Sequence, residues 1–183
     1  LGAYEQPEEV YITLWRRGAI AARVSGEGAD LNEAITRGIA GLKSHPSIFG
    51  KSGHEGQLKL DRVIGESAIP LARYLLPMAV NPGLDGLRHR RAGSTRTLLP
   101  DDLIRQQKFG AAPLVPGIRE LRLGLDAESV LKSLAPKGIG HLSRLRTQSW
   151  IENGEQVQTV SRGNTSVPSS SSKDWHTSAI AGG

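Results

Sequence analysis

Two runs of β-branched and aromatic residues near the N-terminus predict a β-hairpin. Residues 10–15 and residues 19–24 are both rich in strand-forming side chains. Between them, Arg16, Arg17 and Gly18 form a short polar segment that ends in glycine. Such a segment between two strand-like runs is typical of a tight turn. We therefore expect the chain to begin with two antiparallel strands.

A helix is predicted directly after this hairpin. Asp30 and Glu33 have the spacing of a capping box, in which the first side chain accepts from backbone amides and the second reaches back. Pro46 cannot continue a helix and so marks its end. The face expected to pack on the sheet consists of apolar and small residues at helical spacing: Leu31, Ala34, Ile35, Gly38, Ile39 and Leu42.

Shorter elements are predicted along the rest of the chain. They are a strand at 58–64, a hairpin with arms at 84–90 and 95–99, a short helix from Pro100, a strand at 121–125, a helix at 127–135, and a hairpin with arms at 142–151 and 156–160. Together these elements predict an α+β domain over residues 1–160, with a mainly antiparallel sheet and a few packed helices. Residues 161–183 are rich in Ser, Thr and Gly, which is typical of a linker or tail.

The composition excludes several classes of protein. The chain has no cysteine, so it forms no disulfide and has neither a thiolate metal site nor a cysteine nucleophile. No apolar run approaches the roughly 20 residues that span a bilayer. The longest candidate, residues 68–80, contains Arg73 and two prolines. We therefore expect no membrane span.

Three stretches of the chain are similar to a known family. They are residues 10–18, the helix at 30–42, and residues 83–87 followed by a basic hairpin and then Leu98, Leu99 and Pro100. The order of the glycine-containing segment, the hairpin and the Leu-Leu-Pro run is their most specific feature. In these stretches, which lie in roughly the first two-thirds of the chain, the sequence resembles the AMMECR-like domain family. The resemblance implies an AMMECR-like α+β fold.

The chain departs from that family at the family's best-known motif. Members carry a Leu-Arg-Gly-Cys-Ile-Gly run at the second strand, whereas residues 20–26 here contain no cysteine and have the arginine, Arg23, in a different place. A role that depends on the cysteine is therefore not carried over. Since the family has no well-established reaction, the resemblance implies a fold rather than an activity.

The positive charge is concentrated in the middle of the chain. The net charge is +5, and residues 61–125 contain 10 basic and 6 acidic side chains. Much of the excess comes from Arg88, Arg90, Arg91 and Arg96, on or beside the predicted hairpin. Such a patch attracts anions or nucleic acid. The alternative is a solvated arginine-rich hairpin with no ligand.

Few residues are candidates for catalysis. Asp101 and Asp102 could act as an acid/base pair with His89 nearby, although carboxylates at a helix start also serve as caps. The five histidines lack the spacing of a metal motif, so each is predicted to lie on the surface or in a turn, and no metal site is expected. Residues 26–28, Gly-Glu-Gly, lack the remaining residues of a nucleotide-binding loop and are predicted to form a structural turn. We therefore expect no cofactor.

Two hypotheses of different classes follow from these patterns. The first is a non-catalytic binding or accessory module of a longer protein, whose partners are another domain of the same chain and, through the arginines, a polyanion. The second is a self-contained enzyme with acid/base residues near the basic hairpin at 84–102, such as Asp101, Asp102, His89 or Arg96. Whether these side chains converge in one place separates the two hypotheses.

Overall fold

The computed structural model contains eleven strands and four helices among the residues that it describes. It describes residues 7–46, 48, 56–70, 72–81, 83–105, 109–113, 121–125, 127–134, 140–153, 155–160, 165–168 and 175–178. The strands are β1 (Glu8–Arg16), β2 (Ala19–Gly28), β3 (Gln57–Ala68), β4 (Asp85–Arg91), β5 (Ser94–Leu98), β6 (Phe109–Pro113), β7 (Leu121–Leu125), β8 (His141–Asn153), β9 (Gln156–Val160), β10 (Thr165–Pro168) and β11 (Trp175–Ser178). The helices are α1 (Leu31–Lys43), α2 (Ala72–Ala79), α3 (Pro100–Arg105) and α4 (Ala127–Leu134).

A seven-stranded sheet dominates the fold, as the α+β prediction expected. Its hydrogen-bonded order is β2-β1-β3-β8-β4-β5, and β9 also pairs with β8. The pairings of β1 with β2, β1 with β3, β4 with β5, β4 with β8 and β8 with β9 are antiparallel. Two further pairs, β6 with β7 and β10 with β11, form small sheets of their own. The fold is therefore a mixture of α and β structure with few helices.

The chain divides into two compact units. Unit one contains residues 1–63, 148–160 and 168–176, and unit two contains residues 64–147, 161–167 and 177–183. Strands β3 and β8 each contribute to both units. The strands β10 and β11 lie in the segment predicted as a linker or tail, and its role as a linker stays a prediction. Within the described ranges, no helix combines the length and apolar character needed to cross a membrane.

The predicted N-terminal hairpin is confirmed, together with its turn. Arg16 pairs with Ala19, which leaves Arg17 and Gly18 as the two turn residues. Both have positive φ, 50° and 72°. Positive φ at both central residues gives the turn the twist that suits a two-residue hairpin.

Helix α1 begins with the predicted cap. Asp30 Oδ1 accepts from the amide of Glu33 at 2.8 Å, and Glu33 Oε2 accepts from the amide of Ala29 at 2.7 Å. The first bond satisfies a backbone donor at the helix start, which has no partner inside the helix. The second binds the amide one residue before the cap, in place of the Asp30 amide that a regular capping box binds. The helix ends at Lys43, before Pro46.

The predicted turn at residues 26–28 is instead the end of strand β2. A Cβ on Gly26 would lie 2.1 Å from the carbonyl oxygen of Ala34, and one on Gly28 would lie 2.6 Å from the Ala34 amide. Glycine is therefore required here because the helix backbone lies directly against the strand. From the sequence alone these glycines predict a turn, because glycine is also typical of turns and loops.

This close approach also changes which face of α1 is buried. Ala34 and Gly38 are the buried residues of the helix, whereas Ile39, predicted to pack, is 41% exposed. A Cβ on Gly38 would lie 2.9 Å from Cδ1 of Ile12 on β1. The small residues mark the line of contact, and the larger Ile39 lies outside it.

Unit two has an apolar core between its helices and strands. The core residues come from α2, α3, α4, β4, β8 and the flanking segments: Ile69, Leu76, Val80, Leu87, Leu103, Val130, Leu134 and Leu142. The predicted hairpin of β4 and β5 is confirmed, with Ala92 and Gly93 at φ 41° and 76° in its turn. Leu87 is fully buried on this hairpin, so one of its faces rests on the core.

Candidate functional site

The basic hairpin of β4 and β5 separates the four predicted arginines into two pairs. Successive residues of a strand point to opposite faces, and residues opposite one another on paired strands share a face. His89 pairs with Arg96, and Arg91 is two residues from His89 on β4, so these side chains share the face of the hairpin that carries Leu87. Arg88 and Arg90 lie on the other face.

Arg88 and Arg90, the Glu66-bound pair, are engaged in ion pairs. Arg88 Nη1 lies 3.0 Å from Glu66 Oε2, and Arg90 Nη2 donates to the same oxygen at 2.9 Å. The Arg88 side chain is only 6% exposed. Burial opposes ionisation of Glu66, but hydrogen bonds from Arg90 and Ser143 and the two arginine charges outweigh it, so the pKa of Glu66 is lowered. These arginines hold β4 and the end of β3 together.

Arg91 and Arg96, the outer pair, are exposed. Arg96 Nη1 donates to the carbonyl oxygen of Ser133 at 3.4 Å, near the C-terminus of α4, where a cation is favoured. Ser94, directly opposite Arg91, is exposed on the same face. The end of the hairpin thus presents the two guanidinium groups of the outer pair and the hydroxyl group of Ser94.

His89 was predicted to lie on the surface or in a turn, and this prediction is wrong. It lies within β4 and is 6% exposed, and its Nε2 accepts from the amide of Gly140 at 3.0 Å. Burial lowers the pKa of His89, and the charges of Arg91 and Arg96 lower it further. A carboxylate partner would raise the pKa of a histidine instead, so the electrostatics do not favour a catalytic pair of His89 with an aspartate.

Asp101 and Asp102 are buried at the start of α3, with 2% and 6% exposure. Asp102 Oδ2 accepts from the amide of Leu99 at 3.0 Å, and Pro100 begins the helix. A carboxylate at the third helical position that reaches back to the capping residue is one half of a capping box. The capping alternative is therefore confirmed for Asp102, and neither carboxylate is open to a substrate in solution.

Unit one has a polar cluster in its interior that was not predicted from the sequence. Lys59 Nζ lies 2.9 Å from Asp61 Oδ1, and Ser149 Oγ donates to the same oxygen at 2.5 Å. Lys59, Asp61 and Ser149 are 3%, 0% and 4% exposed, whereas Leu58 on the opposite face of β3 is 40% exposed. Thr13, fully buried beside Lys59 in register, accepts from Arg23 Nε at 3.0 Å.

Burial of this cluster limits what it can do chemically. Ser149 could serve as a nucleophile only if a substrate reached its hydroxyl group, and Ser149, Lys59 and Asp61 are all closed to solvent. No signal in the sequence marks the cluster, because the alternation along β3 fits either choice of inner face. Among the described residues, no three His, Asp or Glu side chains form a group that could hold a metal ion.

Comparison with known proteins supports the fold and leaves the activity open. No protein-family model and no curated protein matches the sequence. The structure is similar to the crystal structure of an uncharacterized protein, PH0010, from Pyrococcus horikoshii. The TM-score is 0.59 at 13% sequence identity, over 84% of this chain and 78% of the Pyrococcus chain. At that identity the likeness concerns the fold alone, a mixed α/β fold dominated by an antiparallel sheet.

Proposed function

We propose that this chain is a non-catalytic binding module and that the outer pair, Arg91 and Arg96, is its contact with a polyanion. The proposal rests on one observation: the hairpin places the outer pair and the Glu66-bound pair on opposite faces. Glu66 neutralises part of the charge on one face, while the outer pair is exposed on the other face. Guanidinium groups are suited to phosphate and sulfate because their planar donors match those oxygens.

The expected binding is weak and independent of nucleotide sequence. Residues 85–98 contain no Phe, Tyr or Trp on which a base could stack, and the ring of His89 is buried. Contacts to backbone charges alone position a protein without reading bases. Such non-specific binding typically has dissociation constants of about 10⁻⁴ to 10⁻⁶ M at physiological salt.

The alternative, an enzyme with acid/base residues near the hairpin, has less support. Asp102 bonds to the Leu99 amide, and His89 bonds to the Gly140 amide. Each of these side chains thus accepts a hydrogen bond from a backbone amide, and each is buried. A catalytic acid or base must instead reach the proton that it transfers.

We further propose that the fold is AMMECR-like and that the module acts beside another domain of a longer chain. The family assignment rests on the matching segment at residues 83–100. Two of its glycines are required by the fold, since Gly83 has φ 76° and a Cβ on Gly86 would lie 2.6 Å from the carbonyl oxygen of Leu98. Homologues that keep these glycines and the Leu99-Pro100 pair would support the assignment, and the complete reading frame would test the second domain.

Binding of a labelled mixed-sequence oligonucleotide, followed by fluorescence anisotropy, tests the binding function. At about 0.1 M salt, the Arg91→Gln/Arg96→Gln variant should bind about 10- to 30-fold more weakly than the wild type, because two phosphate contacts are lost. Arg37→Gln/Lys43→Gln on α1 removes the same charge from an exposed surface of unit one and should bind as the wild type does. Equal weakening in the two variants, or no binding by the wild type, would refute the proposal.

A further inference from the structure

The outer pair of arginines adjoins a buried imidazole, that of His89. His89 lies directly opposite Arg96 and two residues from Arg91, on the same face of the hairpin. Because its Nε2 accepts from the amide of Gly140, the ring is neutral in this structure, with its proton on Nδ1. A second proton therefore binds at Nε2 and replaces the hydrogen bond from Gly140. A Cβ on Gly140 would lie 3.0 Å from this Nε2, so the backbone fits closely against the ring.

The charges that act on His89 come from the outer pair. Arg91 lies on its own strand and Arg96 on β5, and both lower its pKa. Strand β8 places Leu142 opposite His89, and its own His141 is opposite Arg90 on the other face. The charged residues of the two neighbouring helices are Asp101, Asp102 and Arg105 on α3, and Glu128 and Lys132 on α4.

We propose that anion binding at Arg91 and Arg96 is coupled to protonation of His89, so that the hairpin binds its polyanion more tightly in mildly acidic solution. This inference rests on the proposed function, because it adds a regulator to the same surface. An anion at the outer pair offsets the positive potential at the imidazole and so favours the imidazolium form. Reciprocity requires that the imidazolium form then favours the anion by the same free energy.

The sign and size of the effect follow from this linkage. Without ligand, the pKa of His89 lies below its ordinary value. Bound anion moves it upward, so affinity is constant at high pH, rises as pH falls through the pKa of the complex, and levels off below the pKa of the free protein. If bound anion raises the pKa by roughly half a unit to one unit, affinity rises about 3- to 10-fold, because each unit is a factor of ten.

The probe for the test is a labelled oligothymidylate, whose bases do not titrate in mild acid. Its affinity is measured at constant ionic strength at about pH 7.5 and about pH 5.5, on either side of the ordinary histidine pKa. The wild type should bind more tightly at the lower pH, and the gain approaches about 3- to 10-fold as the pH falls below the pKa of free His89. His89→Gln keeps an acceptor for the Gly140 amide but cannot titrate, so its affinity should not change with pH. His45→Gln, which removes a half-buried histidine of unit one that lies outside the hairpin, should behave as the wild type does.

The outcomes separate this inference from the proposed function. Salt-sensitive binding that is the same at both pH values in the wild type would overturn the coupling and leave the binding function standing. The same would follow if His89→Gln kept the full pH dependence. No binding at either pH would remove the proposed function and the coupling with it. If His89→Gln fails to fold, NMR titration of the His89 ring in the wild type decides the matter: its pKa should rise when oligothymidylate is bound, and an unchanged pKa would refute the coupling.

Discussion

Replacement of Lys59 by methionine should destabilise the protein by about 3–5 kcal/mol, since the carboxylate of Asp61 would stay buried after losing this cation. The structure supports a value in this range because neither side chain is open to water, and their charged atoms lie 2.9 Å apart. Solvent screening, which makes exposed ion pairs nearly worthless, is therefore small here. Ser149 still donates to Asp61, but a hydroxyl group does not replace a positive charge.

Urea unfolding followed by tryptophan fluorescence measures this effect, because Trp15 is buried in the same unit. The double variant Lys59→Met/Asp61→Leu removes both charges, and should regain most of the lost stability, to within about 1–2 kcal/mol of the wild type. Lys43→Met, an exposed change on α1, should alter stability by no more than about 0.5 kcal/mol. A free energy of unfolding for Lys59→Met within about 1 kcal/mol of the wild-type value would show that the pair is not buried.

Two further predictions concern the packing of α1. Gly26→Ala should cost about 1–3 kcal/mol or more, because its Cβ would lie 2.1 Å from the Ala34 carbonyl oxygen, whereas Gly65→Ala, with nothing within 4 Å, should not destabilise. Similar losses in urea unfolding of the two variants would contradict the close approach of helix and strand. Ile39→Asp should cost less than about 1 kcal/mol, since Ile39 is 41% exposed. Ala34→Asp should be severely destabilising, and equal melting temperatures for these two variants would show that the buried face is wrongly assigned.

Turn and cap residues allowed much of the local structure to be predicted from the sequence. Gly18 and Gly93 each supply a positive φ in a two-residue turn, and both hairpins were therefore predictable. Asp30 and Glu33 fixed the start of α1 because their bonds depend only on neighbouring residues. Short-range chemistry of this kind is largely independent of the rest of the fold.

Features that depend on distant partners could not be predicted in this way. In the sequence Gly26 resembles a turn residue, because the sequence does not show that α1 lies against it. Strand alternation could have placed Arg88 and Arg91 on opposite faces, but Glu66, which binds Arg88 from 22 residues away, gave no signal. For the same reason the pattern along β3 could not show that Lys59, rather than Leu58, faces the interior.

The salt dependence of oligonucleotide binding tests the central claim, that Arg91 and Arg96 contact a polyanion. A plot of log K against log salt concentration has a slope of about −0.7 for each phosphate contact on a single strand. Loss of two contacts should therefore make the slope for Arg91→Gln/Arg96→Gln shallower than that of the wild type by about 1.4. Arg37→Gln/Lys43→Gln should keep the wild-type slope. Parallel plots for the wild type and the Arg91→Gln/Arg96→Gln variant would contradict the claim, because they would show that these two arginines release no counterions on binding.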